Sequence, residues 1–135
     1  MEKINVKKIV EYWRKTADYD YETMLYLFRG KRYLYSLFLG HIILEKILKA
    51  LVAQETKKQA EYTHDLARLR KAAKINLSPD QVDLLYEANE FNIRSRYPDI
   101  KLKFHERCTK EYTENYLKKI KKLYKELCLM LKQKK

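Results

Sequence analysis

At 135 residues the chain has the length of one domain able to bury its own core. Two glycines and two prolines are too few for the tight turns of a barrel or sandwich, and they leave no G-x-G-x-x-G or G-x-x-x-x-G-K-[ST] phosphate loop. A formal charge of +12 favours encounter with polyanions such as RNA, DNA or nucleotides, or with an acidic protein, although a lysine-rich, solvated surface accounts for it equally well.

Val6, Ile9, Val10, Trp13, Ala17, Met24, Leu25 and Phe28 recur at helical spacing and predict a first helix over 6–28, with Asn5 as N-cap. Gly30 is expected to supply the left-handed residue that ends it. A second helix, 31–55, has Leu34, Leu37, Phe38, His41, Ile42, Leu44, Leu48, Leu51 and Val52 on more than one face, which marks it as the central helix. Gly40 in its middle costs about 1 kcal/mol against alanine, so a close helix approach is expected there. The polar stretch 55–62 reads as a loop, and a short helix over 64–73 follows, capped by Thr63.

Ser78, Pro79, Asp80 and Gln81 form an S-x-x-Q capping box with proline at the first helical position, starting a helix that runs to about Ile93. The segment from Arg94 to Lys103 is expected to be irregular, because Pro98 pushes Tyr97 out of helical geometry. The last helix, 108–132, turns Tyr112, Tyr116, Ile120, Leu123 and Leu127 inward. Its outer face, with the residues just beyond it, is basic: Lys118, Lys119, Lys121, Lys122, Lys125, Lys132, Lys134 and Lys135. These lysines could track a nucleic-acid backbone, though such a face is usually just solvated. The twelve tyrosines offer stacking surfaces, but most stand at helical core spacing and read as packing. The prediction is one all-α domain over 1–135, an antiparallel up-and-down four-helix bundle with an additional short helix.

His41, Glu45, Lys46 and Lys49 interrupt the most apolar stretch, 33–53, so no membrane span is expected. Cys108 and Cys128 are the two cysteines, and the polar, mixed start lacks a signal-like run. Free thiols in a reducing cytoplasm are the expectation. His105 and Cys108 have H-x-x-C spacing, but no second ligand pair completes a tetrahedron; no metal and no other cofactor is expected. No serine or cysteine has a histidine at nucleophile spacing.

The candidate site residues each carry two readings. In an extended segment Arg94 and Arg96 project to one side and could clamp a phosphate; alternatively they cap the last carbonyls of the preceding helix and pair with Glu90 or Asp99. His64 and Asp65 open the short helix, where free N–H groups attract an anion; alternatively they are a structural imidazole and a carboxylate at a helix start. Glu45 and Lys49, one turn apart, and the adjacent Lys46 read as structural or interface residues. His41 reads as a satisfied core histidine.

Three segments then matter together: His41-Ile42-Ile43-Leu44-Glu45-Lys46-Ile47-Leu48-Lys49-Ala50-Leu51, Thr63-His64-Asp65-Leu66, and Arg94-Ser95-Arg96-Tyr97-Pro98-Asp99. Their order and spacing resemble the HEPN domain family (higher eukaryotes and prokaryotes nucleotide-binding) over nearly the whole chain. The resemblance implies a four-helix bundle, a homodimer and a nucleotide or RNA ligand. It also implies a toxin-like role beside a minimal nucleotidyltransferase partner in a toxin–antitoxin pair. Several branches of the family are metal-independent endoribonucleases with an R-x(4–6)-H motif. That motif is absent here, the nearest pair being Arg96 and His105 with eight residues between them. A binding module is therefore favoured, with Arg94, Arg96, Tyr97, Asp99, His64 and Asp65 directed at nucleotide or phosphate. The alternatives are a diverged ribonuclease built from Arg94, Arg96, His64 or His105, and a purely structural adaptor.

Overall fold

Side chains cap the starts of four helices, and these caps place the elements of the bundle. The computed structural model describes residues 5–131, and of Pro98 and Asp99 the backbone alone. The order is α1 (Val6–Arg29), α2 (Tyr33–Thr56), α3 (Leu66–Ala73), α4 (Pro79–Arg94), α5 (Pro98–Arg107) and α6 (Lys110–Leu129), with no strand among the described residues. Asn5 Oδ1 accepts from the Lys8 N–H, Asp65 from Ala67 and Arg68, and Thr109 from Tyr112. Ser78 and Gln81 complete the capping box that the sequence announces, with Pro79 in the first turn. Each cap satisfies a helix-end donor and contributes about 1 kcal/mol.

The all-α bundle is as the sequence predicts. Fifteen of the 24 residues of α2 are buried, and it touches α1, α3, α4 and α6, as a central helix must. An added Cβ at Gly40 would stand 2.8 Å from Ile120 Cδ1, so the glycine lets α2 and α6 approach closely. The core of Met24, Leu37, Ile43, Leu44, Leu48, Leu85, Phe91, Ile120, Leu123 and Leu127 packs around α2. No helix among the described residues is long and apolar enough to cross a membrane.

Several local expectations are corrected. Gly30 has φ −82°, and the left-handed position falls on Lys31 with φ 63°. Hydrogen bonds from Lys31 N–H to Phe28 C=O and from Arg32 N–H to Leu27 C=O place the reversal one residue later. The strain of a lysine there is about 1–2 kcal/mol. α3 starts at Leu66 with Asp65 as its cap; Thr63 Oγ1 accepts from the Asp65 N–H instead. α6 starts at Lys110, not Cys108.

The largest correction concerns 94–103, which is helical apart from the turn at Ser95, Arg96 and Tyr97. Proline is excluded from a helix interior but welcome in the first turn, where its missing N–H would find no partner anyway. Pro98 therefore ends α4 and starts α5 together, giving a second short helix beside α3. Phe104 fastens α5 to the core by stacking on Phe91, with centroids 5.8 Å apart and planes at 18°.

The tyrosines also depart from expectation. Tyr12, Tyr19, Tyr26, Tyr35, Tyr62, Tyr86 and Tyr97 are exposed, so most of the twelve do not serve as core. On the basic face of α6, Lys118, Lys119, Lys122 and Lys125 are exposed and Lys121 is half-buried. Lys132, Lys134 and Lys135 lie outside the described residues.

Candidate functional site

An unbroken line of polar contacts runs through the bundle from Lys49 to Arg96. Lys49 Nζ donates to Glu45 Oε2 at 3.0 Å, and His64 Nδ1 donates to Glu45 Oε1 at 2.8 Å. The His64 carbonyl accepts from His41 Nε2 at 2.9 Å, and Asn92 Nδ2 donates to His41 Nδ1 at 3.2 Å. The Asn92 carbonyl accepts from Arg96 Nε at 3.4 Å. A carbonyl can only accept, so His41 carries its proton on Nε2 and offers the Nδ1 lone pair to the amide. Alongside, Asn89 bridges Asp65 Oδ1 and the Leu66 N–H, each at 3.0 Å, and locks the start of α3.

His41 is fully buried, and Glu45 and Lys49 are each only 6% exposed. The Lys49 ammonium also lies 5.0 Å from the Trp13 ring centre and 5.7 Å from that of Tyr62, so two aromatic faces share its charge. Glu45 and Lys49 pair across one helical turn, as their spacing suggests. Lys46 leaves this group to pair with Asp20 at 2.6 Å.

Burial pushes the His41 pKa below its ordinary 6.5, because the charged imidazole loses water that the protein does not replace. The folded protein therefore binds fewer protons at this residue than the unfolded chain does. Its contribution to stability is whole above pH 6.5 and is lost as pH falls below that value through the folded pKa. Urea midpoints measured from pH 7 down to pH 5 should fall, and the fall should be shallower in His41→Gln. An equal slope in both proteins would exclude His41 as its source.

The second locus is the corner between α4 and α5. Ser95 has φ −80° and ψ −14°, which is helical, so Arg94 and Arg96 are not i and i+2 of an extended strand. The same-side clamp predicted from that geometry is corrected. Arg94 Nη2 stands 3.5 Å from Glu90 Oε1 and its guanidinium 6.0 Å from the Phe104 ring centre. Arg96 bonds the Asn92 carbonyl near the end of α4, with its guanidinium 5.8 Å from the Tyr97 ring centre. Helix-end capping describes Arg96, and pairing with Glu90 describes Arg94. The side chain of Asp99 lies outside the described residues.

Arg94 nevertheless opens onto a hollow of about 190 Å³ lined with Ile100, Lys103, Phe104 and Arg107. Three cations around two apolar side chains suit an anionic group with a flat or apolar body. Lys103 was missed because the segment 94–103 read as irregular, and Arg107 because it fell between that segment and the predicted last helix. Positions 100, 103, 104 and 107 share one helical face, a signal available once Pro98 is read as a helix start.

The candidates therefore fall into two groups. His64 and Asp65 join Glu45 and Asn89, whereas Arg94, Arg96 and Tyr97 form the corner; His41 and Asn92 link them. His105 is exposed in the last turn of α5, and among the described residues no hydrogen bond or ion pair ties it to either arginine. Cys108 is buried, and burial pushes its thiol up to about 12, which leaves it unreactive at neutral pH.

The protein is thus an α-helical bundle with a buried Glu45–Lys49 pair tied to His64 and a cationic corner between α4 and α5. The family model for the HEPN domain matches residues 10–132, and the chain belongs to that family. The HEPN domain implies a nucleotide- or RNA-associated module, which bears out the coarse functional expectation. No curated protein and no solved structure matches the chain.

Proposed function

We propose that this HEPN domain is a binding module that engages the phosphates of RNA or a nucleotide at the α4–α5 corner, works as a homodimer, and serves as the toxin-like partner of a minimal nucleotidyltransferase. The observation that supports it is the hollow where Arg94, Lys103 and Arg107 converge around Ile100 and Phe104. Guanidinium forks grip phosphate oxygens in pairs, and a base or ribose can lie against the apolar floor. Tyr97, 53% exposed beside Arg96, adds a stacking surface at the edge.

Binding is favoured over ribonuclease chemistry by the positions of the histidines. His64 is tied through Nδ1 to Glu45 in the other group of contacts, away from the arginine corner, His41 is sealed in the core, and among the described residues His105 has no bond to an arginine. General acid–base work needs a histidine within hydrogen-bond reach of the reacting group.

The test is fluorescence anisotropy of a short single-stranded RNA in EDTA, with cleavage followed in the same samples. Arg94→Ala and Arg107→Ala should each weaken binding about tenfold, and added salt should weaken it further. Binding unchanged in both variants would remove the corner from the interface. Metal-free cleavage that Arg96→Ala abolishes would favour the nuclease alternative. Co-purification with a nucleotidyltransferase, and relief of growth arrest by it, test the toxin–antitoxin part.

A further inference from the structure

α1 carries a second stripe, away from the core, that no neighbouring helix covers. Ile9, Tyr12, Thr16, Tyr19, Thr23 and Tyr26 follow one another at alternating steps of three and four, the spacing of a coiled-coil seam. None is charged, in a chain whose net charge is +12. Tyr12, Tyr19 and Tyr26 are 59%, 75% and 67% exposed. A solvated helix face would carry charges at such positions, as the neighbouring row of Lys8, Lys15, Glu22 and Arg29 does.

The stripe is complementary to itself. Its positions read the same in both directions about a point midway between Thr16 and Tyr19. Laid antiparallel on a second copy, Thr16 meets Tyr19, Tyr12 meets Thr23, and Ile9 meets Tyr26, so that tyrosines mostly face smaller side chains. Such interdigitation is what packed helix seams require. A hollow of about 280 Å³, lined by Lys8, Ile9, Tyr12, Trp13 and Gln59, lies where Tyr26 of the second copy would arrive.

The flanking charges agree with this register. Lys7 pairs with Glu11, Arg14 with Asp18 and Asp20 with Lys46 inside the chain. Among the described residues, Lys15 and Glu22 have no ion-pair partner of their own. In the antiparallel seam Lys15 of each copy comes beside Glu22 of the other, and the two-fold axis repeats the pair. Lys8 and Arg29 meet only at the solvated ends, where like charges cost little.

We infer that the outer stripe of α1 is the surface on which a second copy of this chain docks, antiparallel, through Tyr12, Tyr19 and Tyr26. The inference rests on the homodimer reading above and gives that dimer its surface. An isologous contact needs a self-complementary patch, which this stripe is.

Sedimentation equilibrium of the full chain tests it. The wild type should dimerise, and Tyr19→Lys should raise the dissociation constant by about a hundredfold or more with an unchanged helical circular dichroism spectrum, since Tyr19 touches no core. Lys15→Glu and Glu22→Lys should each weaken the dimer about tenfold, and the double charge swap should restore it. Residues seven apart on one helix do not pair with each other, so restoration reads a contact between copies. A dimer that survives Tyr19→Lys intact, or a double swap no better than either single change, overturns the surface while the homodimer stands. A wild-type chain that stays monomeric overturns both.

Discussion

Glu45→Gln should lower the unfolding free energy by about 3–5 kcal/mol, the usual cost of removing one member of a buried ion pair. The substitution keeps the shape of the side chain and removes only its charge. Lys49 then sits 6% exposed with no anion, and its contacts with Trp13 and Tyr62 are too weak to replace one. The amide keeps one acceptor oxygen for the two donors, so Lys49 and His64 compete for it and the tie that holds the segment before α3 is weakened. Urea unfolding followed by circular dichroism measures the loss. The double variant Glu45→Met with Lys49→Met should return much of it, because burying neither charge removes the desolvation cost as well as the attraction. A Glu45→Gln loss below about 1 kcal/mol would mean that water reaches the pair and that it behaves as a surface bridge.

The strut illustrates how much of the site was legible beforehand. Glu45 and Lys49 are one helical turn apart, so their pairing follows from spacing alone. His41 as a core histidine follows from the apolar residues around it. Its partners do not, since the donor Asn92 is 51 positions away and the acceptor is a backbone carbonyl that any residue could supply. Pro98 was legible in one of its two roles: it ends α4, and the same lack of an N–H lets it begin α5. Missing the second role hid the face that carries Lys103 and Arg107. The tyrosines mislead for a different reason. A ring with a hydroxyl suits a core, an interface or a surface, and the seam spacing of Tyr12, Tyr19 and Tyr26 is also a core spacing. Only the positions of α2 and α6 decide which stripe of α1 faces inward.

Gly40 separates two substitutions that look alike on paper. Gly40→Ala should leave stability within about 1 kcal/mol of the wild type, because two effects of similar size oppose each other. Alanine relieves the helix of about 1 kcal/mol of glycine's cost. Its Cβ meets Ile120 Cδ1 at 2.8 Å, but that atom ends a flexible side chain and can turn aside, while Ile120 Cγ2 at 3.6 Å and Met24 Sδ at 3.8 Å are ordinary contacts. Gly40→Leu has no such escape. Three further carbons must enter a space held by Ile120 and Met24, both fully buried, so α2 and α6 must part. Overpacking of this kind costs about 3 kcal/mol, on the order of a 10 °C fall in Tm for a chain of this size. The displacement would also carry His41, the next residue, away from Asn92, and with it the tie between α2 and the α4–α5 corner. Gly40→Leu should therefore lose the RNA binding proposed for that corner in the cold, where it is still folded, as well as unfolding early when heated. A Gly40→Leu protein as stable as Gly40→Ala would place α6 further from α2 than 2.8 Å at this level allows, and the central helix would owe its glycine to something other than close approach.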